Sequence, residues 1–319
     1  MPVAASQIQN GIIHTNRFKN FIHPWLQTLA GGGKRVAEAV IKFVVELNKT
    51  FGCGGIHGGI IPSGRYNLSM LSVQEIERLS NEFETKTPQE IIQWAVNTFW
   101  PEIAMSSSFQ TQSMPLLHMA TRIKHDLPVF FIDTGYHFWE TATFREKIAS
   151  EWKINVIDLY RDSRWDVFVH QNIRNLPVDD PNLCCYLHKV QPMQKALKDV
   201  KAWISGIRRD QTSVRANAKI LEFQEDGLLK INPLLNWKKA DVQNYIKEHN
   251  LPAHPLYEKG YKSVGCAPCT IAIGVDDDER AGRWAGRDKV ECGVHTTMFN
   301  KKDIAEVQNE FQLDVTAKS

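Results

Sequence analysis

The chain has 319 residues, of which 43% are hydrophobic and 23% charged, so it is long enough to bury a substantial core. Its 38 Lys and Arg nearly balance 36 Asp and Glu, and the formal net charge of +2 excludes the overall positive field of a nucleic-acid or membrane-surface protein. No apolar run is long enough to span a bilayer and the N-terminus lacks a secretory signal pattern, so we expect a cytoplasmic protein.

The first 65 residues differ in composition from the rest, and we interpret them as an N-terminal arm. Glycine clusters at 31–33 and 52–55 flank apolar residues whose helical spacing predicts an amphipathic helix over 36–51. We expect this helix to pack on the main domain or on a partner subunit, and membrane-surface binding is the alternative. Cys53 lies in the arm, apart from the other cysteines, and is interpreted as an incidental thiol.

The main domain is predicted over residues 66–275, followed by a C-terminal segment over 276–319 that we expect to be mobile. Capping boxes beginning at Ser72 and Thr87 predict two helices. Short apolar runs then alternate with helical segments: strands are predicted at 102–105, 127–132, 154–157 and 202–204, and helices at 114–124, 138–152 and 190–197. This βαβ pattern is typical of an α/β protein with a doubly wound, mainly parallel sheet, which binds ligands in the loops at the carboxyl ends of its strands.

The loop after the first strand contains Ser106, Ser107 and Ser108 and leads into a helix. Backbone N–H groups, hydroxyls and a helix N-terminus together favour binding of a phosphate or sulfate. The loop lacks the glycine pair and the acidic residue of the loops that split ATP into AMP and pyrophosphate, so it favours an already activated nucleotide. A serine-rich helix cap without a ligand is the alternative.

Polar residues that could complete an anion site follow other strands. Asp133 begins the loop after the second strand, and Gly206 begins a loop that carries Arg208, Arg209 and Arg215. Guanidinium groups suit bidentate contacts to phosphate and sulfate oxygens, whereas solvated surface charge is the alternative for any single arginine.

Four cysteines form two pairs, Cys184-Cys185 and Cys266-Ala-Pro-Cys269. Zinc sites are usually built from two CxxC-like hairpins, whereas tandem sulfurs suit the separate iron corners of a cubane, so we favour an iron–sulfur cluster. Structural zinc, unligated core thiols and a disulfide remain open. Lys189 follows four residues after Cys185, where its ammonium would offset the negative charge of the cluster and reach toward a bound anion.

Cys292 is the remaining cysteine of the C-terminal half and stands in a late, glycine-bearing segment. Lys289 and His295 would increase its thiolate fraction, although Glu291 opposes them. An isolated cysteine of this kind is more often an inert surface thiol. The anion site and the four-cysteine centre upstream favour a nucleophile.

Together these motifs resemble the assimilatory sulfonucleotide reductases, which reduce adenylyl sulfate (APS) or 3′-phosphoadenylyl sulfate (PAPS). The resemblance covers about residues 85–300. It rests on the serine loop, the two cysteine pairs and four further motifs: Asp133-Thr-Gly-Tyr-His, Gly206-x-Arg208-Arg209-x-Gln211, Gly282-Arg283-Trp284 and Glu291-Cys292-Gly-Val-His295.

The resemblance implies a Rossmann-like fold of the adenine nucleotide alpha-hydrolase type and one 4Fe-4S cluster held by Cys184, Cys185, Cys266 and Cys269. It also implies that Cys292 is the nucleophile and that Arg283 and His295 join the substrate site. The paired cysteines mark the APS-reducing branch. The expected function is therefore reduction of APS to sulfite and AMP through an S-sulfocysteine, within sulfate assimilation and cysteine biosynthesis.

The chain departs from the family pattern at three places. His188 stands where an arginine commonly precedes the lysine, the N-terminal arm has no recognised counterpart, and we expect no fused thioredoxin-like domain. An external thioredoxin or glutaredoxin-like reductant is therefore expected. The alternatives are a PAPS or dual-specificity reductase, a cluster-dependent RNA thiolase and a non-catalytic metal-binding module; the oligomeric state stays open.

Overall fold

A computed structural model of the chain describes residues 72–163, 165, 175–224, 227–296 and 299. The helix expected at 36–51 and Cys53 lie outside the described residues. Within these ranges, no helix combines the length and the apolar character that crossing a membrane requires.

Two capped helices precede the sheet, as the sequence predicts. Helix α1 spans Val73–Phe83, and the Ser72 side chain accepts a hydrogen bond from the Glu75 N–H at 3.2 Å. Helix α2 spans Pro88–Phe99 and begins with a reciprocal capping box, in which Thr87 and Glu90 each bond the backbone of the other. These caps satisfy N–H groups that have no partner inside the helix.

The six strands of the described chain form one sheet in the order β3-β2-β1-β4-β6-β5. All pairs are parallel except β5 with β6. The strands are β1 Ile103–Ser106, β2 Val129–Asp133, β3 Val156–Tyr160, β4 Ala202–Ile204, β5 Leu221–Phe223 and β6 Leu229–Ile231. The predicted α/β class and mainly parallel sheet are confirmed, and the four predicted strands are observed with ends shifted by at most three residues.

Helices connect the strands on both faces. They are α3 Met114–Ile123, α4 Trp139–Trp152, α5 Leu176–Asp179, α6 Pro181–Cys185, α7 Gln191–Leu197 and α8 Lys239–Glu248. A π-helical turn over Tyr186–Val190 lies between α6 and α7. The β5–β6 hairpin and α8 are elements that the sequence analysis did not predict.

Alternate residues of the strands pack on opposite faces of the sheet, because successive side chains of a strand point to opposite sides. Ile103 and Met105 belong to a core with α1–α4 and α8, whereas Ala104 lies in a second core. On β4, Trp203 likewise faces the second core. The second core also contains side chains from helix α6, the π-helical turn and helix α7, together with Val294 and Phe299. The paired cysteines and the C-terminal segment therefore share one face.

The strand order reverses between β1 and β4. The chain proceeds from β1 outward to β3 and then returns to pair β4 against the other side of β1. Helices on opposite faces leave a crevice at the carboxyl ends of two strands at such a point, and α/β sheets bind ligands there. Ser106 and Ser205 each lie at or beside one of these two carboxyl ends.

A buried histidine joins the loop after α8 to this region. His254 is 1% exposed, its Nδ1 accepts from the Leu256 N–H at 3.2 Å, and its Nε2 therefore donates to Thr141 Oγ1 at 3.0 Å. The backbone N–H of His254 also donates to the Thr111 hydroxyl, at the start of the helix that follows the serine loop. Burial of the ring lowers the pKa of His254 to about 4.

This histidine predicts a pH dependence of stability. The folded state takes up the His254 proton only near pH 4, but the unfolded state takes it up near 6.5, so stability falls as pH falls through that window. We expect a loss of up to about 1.4 kcal/mol per pH unit in the free energy of unfolding. Measured by chemical unfolding, the free energy of unfolding should fall more steeply between pH 7 and pH 4.5 in the wild type than in His254→Asn. A control variant at the exposed His125 should follow the wild type. If all three proteins show the same pH dependence of the free energy of unfolding, this assignment is wrong.

Candidate active site

The serine loop lies at the sheet edge where β1 and β4 meet, and part of its bonding capacity is used internally. Ser106 Oγ accepts from the Trp203 indole N–H at 2.9 Å, and Ser108 Oγ lies 2.9 Å from Ser113 Oγ. The Ser107 N–H donates to the Phe130 carbonyl at 3.0 Å. These bonds fix the loop in position, and they also show that the Ser107 N–H is not one of the donors expected to cradle an anion.

A cavity of about 190 Å³ opens over this loop. Its walls are formed by residues that are far apart in the sequence, from Ser106 to His295. The predicted site residues that line it are Ser106, Ser107, Ser108, Lys189, Gly206, Arg215, Arg283, Cys292 and His295. The structure therefore brings most of the predicted site together at the carboxyl edge of β1 and β4.

The four paired cysteines are all buried, and none forms a disulfide. Asp180 caps α6 by accepting from the Asn182 and Leu183 N–H groups, and this short helix presents Cys184 and Cys185. A 3-10 turn over Ala267–Cys269 begins at Cys266 and presents the second pair. The second pair is attached to the sheet edge because the Ala267 N–H donates to the Tyr136 carbonyl at 2.8 Å.

The four thiols form one group. Cys185, Cys266 and Cys269 share a small buried cluster with Trp284, and Cys292 packs beside it. Burial raises the pKa of Cys184, and the negative charge of Cys185, Cys266 and Cys269 raises it further, so all four sulfurs lie within electrostatic reach. Burial raises the pKa of Cys185 as well, to about 11.

The donor set fits a polynuclear centre. A cluster that takes one thiolate at each iron corner needs grouped but separated sulfurs. Buried thiols that repel one another when ionised are stabilised when they ligate such a positively charged metal core.

Lys189 lies between the cysteine group and the cavity. It extends from the π-helical turn that follows Cys185 and lines the cavity wall. Burial opposes its charge, but Cys266, Cys292 and Cys185 overcome this and raise the pKa of Lys189 above its ordinary value. The Lys189 ammonium thus interacts electrostatically with the cysteine group and also lines the cavity.

Cys292 lines the cavity and is half-buried. Burial and the Glu291 carboxylate raise the pKa of Cys292, but Lys189, the Val294 N–H and Arg283 outweigh them, so its pKa lies below the ordinary value. The prediction that His295 supplies positive charge is wrong, because burial lowers the pKa of His295 well below its ordinary value. The prediction for Lys289 stays a prediction, and its ammonium bonds the Asn182 side chain.

Glu291 is held from several sides. Its side chain is 3% exposed, with Oε1 2.7 Å from Arg215 Nε and Oε2 accepting from Arg215 Nη2 at 2.8 Å. Thr212 donates to Oε1 at 2.9 Å, and Arg280 lies 3.5 Å from Oε2. Burial raises the pKa of Glu291, but Arg215 and these other donors lower it below the usual range. The residue directly before Cys292 is therefore a buried carboxylate.

Arg283 is the arginine best placed to bind an anion. Its buried Nε makes no hydrogen bond in the structure, and its guanidinium lies 4.3 Å from the ring centroid of Trp284. The side chain packs on Gly265, where an added Cβ would lie 2.4 Å from the guanidinium carbon. Gly265 thus provides the space that lets Arg283 reach the cavity.

Three predicted contacts are absent from the cavity lining. Arg208 is 2% exposed and bonds Asp210 and Gln112, so it fixes its loop to the helix after the serine loop. Arg209 turns away from the cavity and pairs with Glu84 at 2.7 Å. Asp133 caps the next turn by accepting from the Gly135 N–H at 3.0 Å. A structural role accounts for each of these three residues.

Arg280 lines the cavity, although the sequence analysis did not single it out. It lies in the charged stretch that was expected to be mobile. The only signal in the sequence was its position three residues before Arg283, which places two arginines on one segment.

Comparisons with known proteins agree with this geometry. Residues 102–272 match the family model of the phosphoadenosine phosphosulfate reductase domain. The adenosine 5′-phosphosulfate reductase of Streptomyces coelicolor is 40% identical over 69% of this chain and 92% of its own length. The enzyme of the same name from Salinibacter ruber is 36% identical over 71% of this chain and 90% of its own length.

A solved structure matches the same region. The phosphate complex of phosphoadenylyl-sulfate (PAPS) reductase from Candida auris aligns with a TM-score of 0.55 and 30% identity, covering 63% of this chain and 98% of that one. The fold and the cavity thus define a sulfonucleotide reductase-like α/β domain. The chain belongs to the phosphoadenosine phosphosulfate reductase domain family.

The Gly265–Arg283 contact gives a prediction for anion binding. Gly265→Ala should displace the guanidinium without unfolding the domain, because the clashing atoms are the far end of a flexible side chain. We expect the rise in Tm with added sulfate, measured against matched chloride, to shrink relative to the wild type. Gly274→Ala is the control, since its Cβ would meet only Asp277. An unchanged sulfate response in Gly265→Ala would contradict the role of Arg283.

Proposed function

We propose that this protein is an adenylyl-sulfate reductase that converts APS to sulfite and AMP with electrons from a dithiol. The observation that carries the proposal is the position of Cys292. Its thiol, with a lowered pKa, lines an anion-suited cavity at the sheet's switch point, next to Lys189 and Arg283. A nucleophile, cations and a nucleotide-type crevice are the three parts that such a reaction needs.

The choice of APS rests on two supports. The S. coelicolor and S. ruber relatives both carry the name of an APS reductase. The paired cysteines, which are typical of the APS-reducing branch that the sequence resembles, lie together and buried. The C. auris structure carries the name of a PAPS reductase, so reduction of PAPS is the second candidate.

In the first step, the Cys292 thiolate attacks the sulfate sulfur of APS. A bond forms between the two sulfurs, the bond from sulfur to the bridging oxygen breaks, and AMP leaves with that electron pair. Lys189 and Arg283 would neutralise the charge shared by the leaving phosphate and the sulfonate. The product is S-sulfocysteine at Cys292, and no electrons have left the protein at this stage.

In the second step, a thiolate of an external dithiol attacks the Cys292 sulfur and expels sulfite with the electron pair of the bond between the two sulfurs. The second thiol of the reductant then attacks the mixed disulfide and restores the Cys292 thiolate. The dithiol loses two electrons, and the sulfur that arrived as sulfate leaves as sulfite. A thioredoxin or a glutaredoxin-like protein fits this role, and a cytoplasmic location remains a prediction.

We also propose that Cys184, Cys185, Cys266 and Cys269 hold one 4Fe-4S cluster. When bound, the cluster would supply a structural link between α6 and the 3-10 turn and a fixed negative charge beside Lys189. The proposal is supported by the burial and grouping of the four thiols. Binding and orienting the substrate are then carried out by the protein's own cations and backbone.

Trapping the intermediate tests the nucleophile. Incubation with APS in the absence of reductant should add one SO₃ group to the peptide that carries Cys292, measured by mass spectrometry of the digest. Cys292→Ser should give no adduct and no sulfite, because the attacking sulfur is gone. Cys53→Ser, a matched change at the incidental thiol, should behave as the wild type. An adduct with PAPS alone would transfer the assignment to PAPS reduction.

Removal of a cluster ligand tests the metal site. Cys184→Ser, purified anaerobically, should lose the brown visible absorbance and most of its bound iron and sulfide, and should unfold at a lower temperature. Cys292→Ser is the control and should retain the absorbance. Zinc in place of iron in the wild-type protein would refute the cluster.

A further inference from the structure

The Arg215–Glu291 pair lies in the cavity wall and has no part in the reaction steps above. We propose that Arg215 is a positioning residue that acts through Glu291 to hold the Cys292 segment over the cavity. The proposal builds on the assignment of Cys292 as the nucleophile.

The three guanidinium nitrogens of Arg215 all lie close to side-chain oxygens of this chain. Nη2 donates to Glu291 Oε2 at 2.8 Å, and Nη1 donates to the Gln211 side chain. Nε lies 2.7 Å from Glu291 Oε1 as an ion-pair contact without hydrogen-bond geometry. The side chain of Arg215 is thus directed at Glu291 and Gln211.

The loop that binds the Glu291 side chain is hydrogen-bonded to neighbouring parts of the domain. Arg215 and Thr212 belong to the loop that follows β4, and Arg208 in this loop is buried against Asp210 and Gln112. Ser205 at the end of β4 bonds Asn232 at 2.6 Å beside β6. A contact made to this loop is thus a contact to a segment that hydrogen bonds tie to β6 and to the helix after the serine loop.

The other end of the pair reaches the reacting sulfur through one peptide bond. Glu291 immediately precedes Cys292. Its Oε2 accepts a hydrogen bond from Arg215 Nη2, while its Oε1 accepts from Thr212 and lies 2.7 Å from Arg215 Nε, so both carboxylate oxygens are held. On the other side of Cys292, His295 stacks on Trp203. Glu291 also neutralises the charge of Arg215. Lys189 and Arg283 therefore supply the positive charge at the cavity, and Arg280 lies 3.5 Å from the Glu291 carboxylate.

The test uses the full-length holoenzyme with Glu291→Gln, which keeps the shape of the side chain, and Arg215→Gln. Alkylation of Cys292 by iodoacetamide is followed without substrate, at a pH that ionises the thiol in every variant, so that the rate reports exposure. Both variants should be alkylated faster by a similar factor, on the order of tenfold, because the segment is released. The double variant should be no faster than either single one.

The matched control is Glu84→Gln, which breaks the Arg209 ion pair of the same loop away from the cavity. Its alkylation rate should equal that of the wild type. Faster alkylation in this variant as well would mean that general loosening of the loop, and not the Glu291 contact, controls Cys292, and would overturn the proposal.

Nucleotide affinity separates positioning from direct substrate binding. In both variants kcat should fall while the Kd for AMP changes by less than about threefold, because the lost interaction orients the nucleophile. An Arg215→Gln variant that binds AMP about tenfold more weakly, with Glu291→Gln unaffected, would make Arg215 a substrate ligand and refute the proposal. An unchanged alkylation rate in both variants would refute it as well.

The two proposals fail separately. If the wild-type protein forms no sulfonated Cys292 with either nucleotide, the reductase assignment fails, but the alkylation rates still decide whether the pair holds the segment. If the adduct forms and the alkylation rates do not change, the reductase assignment stands and the positioning role is wrong.

Discussion

The indole of Trp203 holds the two halves of the site at a fixed separation. It is fully buried on the second face of β4, donates to Ser106 at 2.9 Å, and stacks on His295 with 10° between the ring planes. A single rigid ring thus contacts both the serine loop and the segment that carries Cys292. Phe299 also stacks on this indole, at 5.5 Å between ring centroids, and extends the same contact past the motif.

Local signals in the sequence were sufficient for the sheet and the helix starts. The capping residues Ser72 and Thr87 act over three residues, and the apolar runs of β1 and β4 are buried on both faces, so these features depend on short stretches of chain. The grouping of the four cysteines followed from their chemistry and from the resemblance to a family. The β5–β6 hairpin was not predicted because each of its three-residue strands has a charged residue at its centre, Glu222 or Lys230, whereas the equally short β4 is apolar throughout.

Partner choice could not be read from the sequence. Arg208, Arg209 and Arg215 lie within eight residues of one another and look equivalent in the chain, yet each has a different carboxylate partner. Those partners, Asp210, Glu84 and Glu291, come from distant segments as well as from the same loop. Long-range ion pairs depend on the fold already being formed, so composition and spacing do not distinguish a substrate ligand from a structural arginine. The same reason explains why Lys189, which is distant in the sequence, lowers the pKa of Cys292 more than any other group.

The segment from Asp276 to His295 lies beyond the stretch that matches the family model, which ends at residue 272. The matched stretch contains the sheet, the serine loop, Lys189 and all four paired cysteines, whereas Arg283 and Cys292 come afterward. The sheet and the paired cysteines therefore lie within the matched stretch, whereas the arginine best placed for an anion and the proposed nucleophile lie together after it. A substitution in this short segment therefore acts on the cavity's arginines and on Cys292 together, and leaves the sheet and the paired cysteines unchanged in sequence.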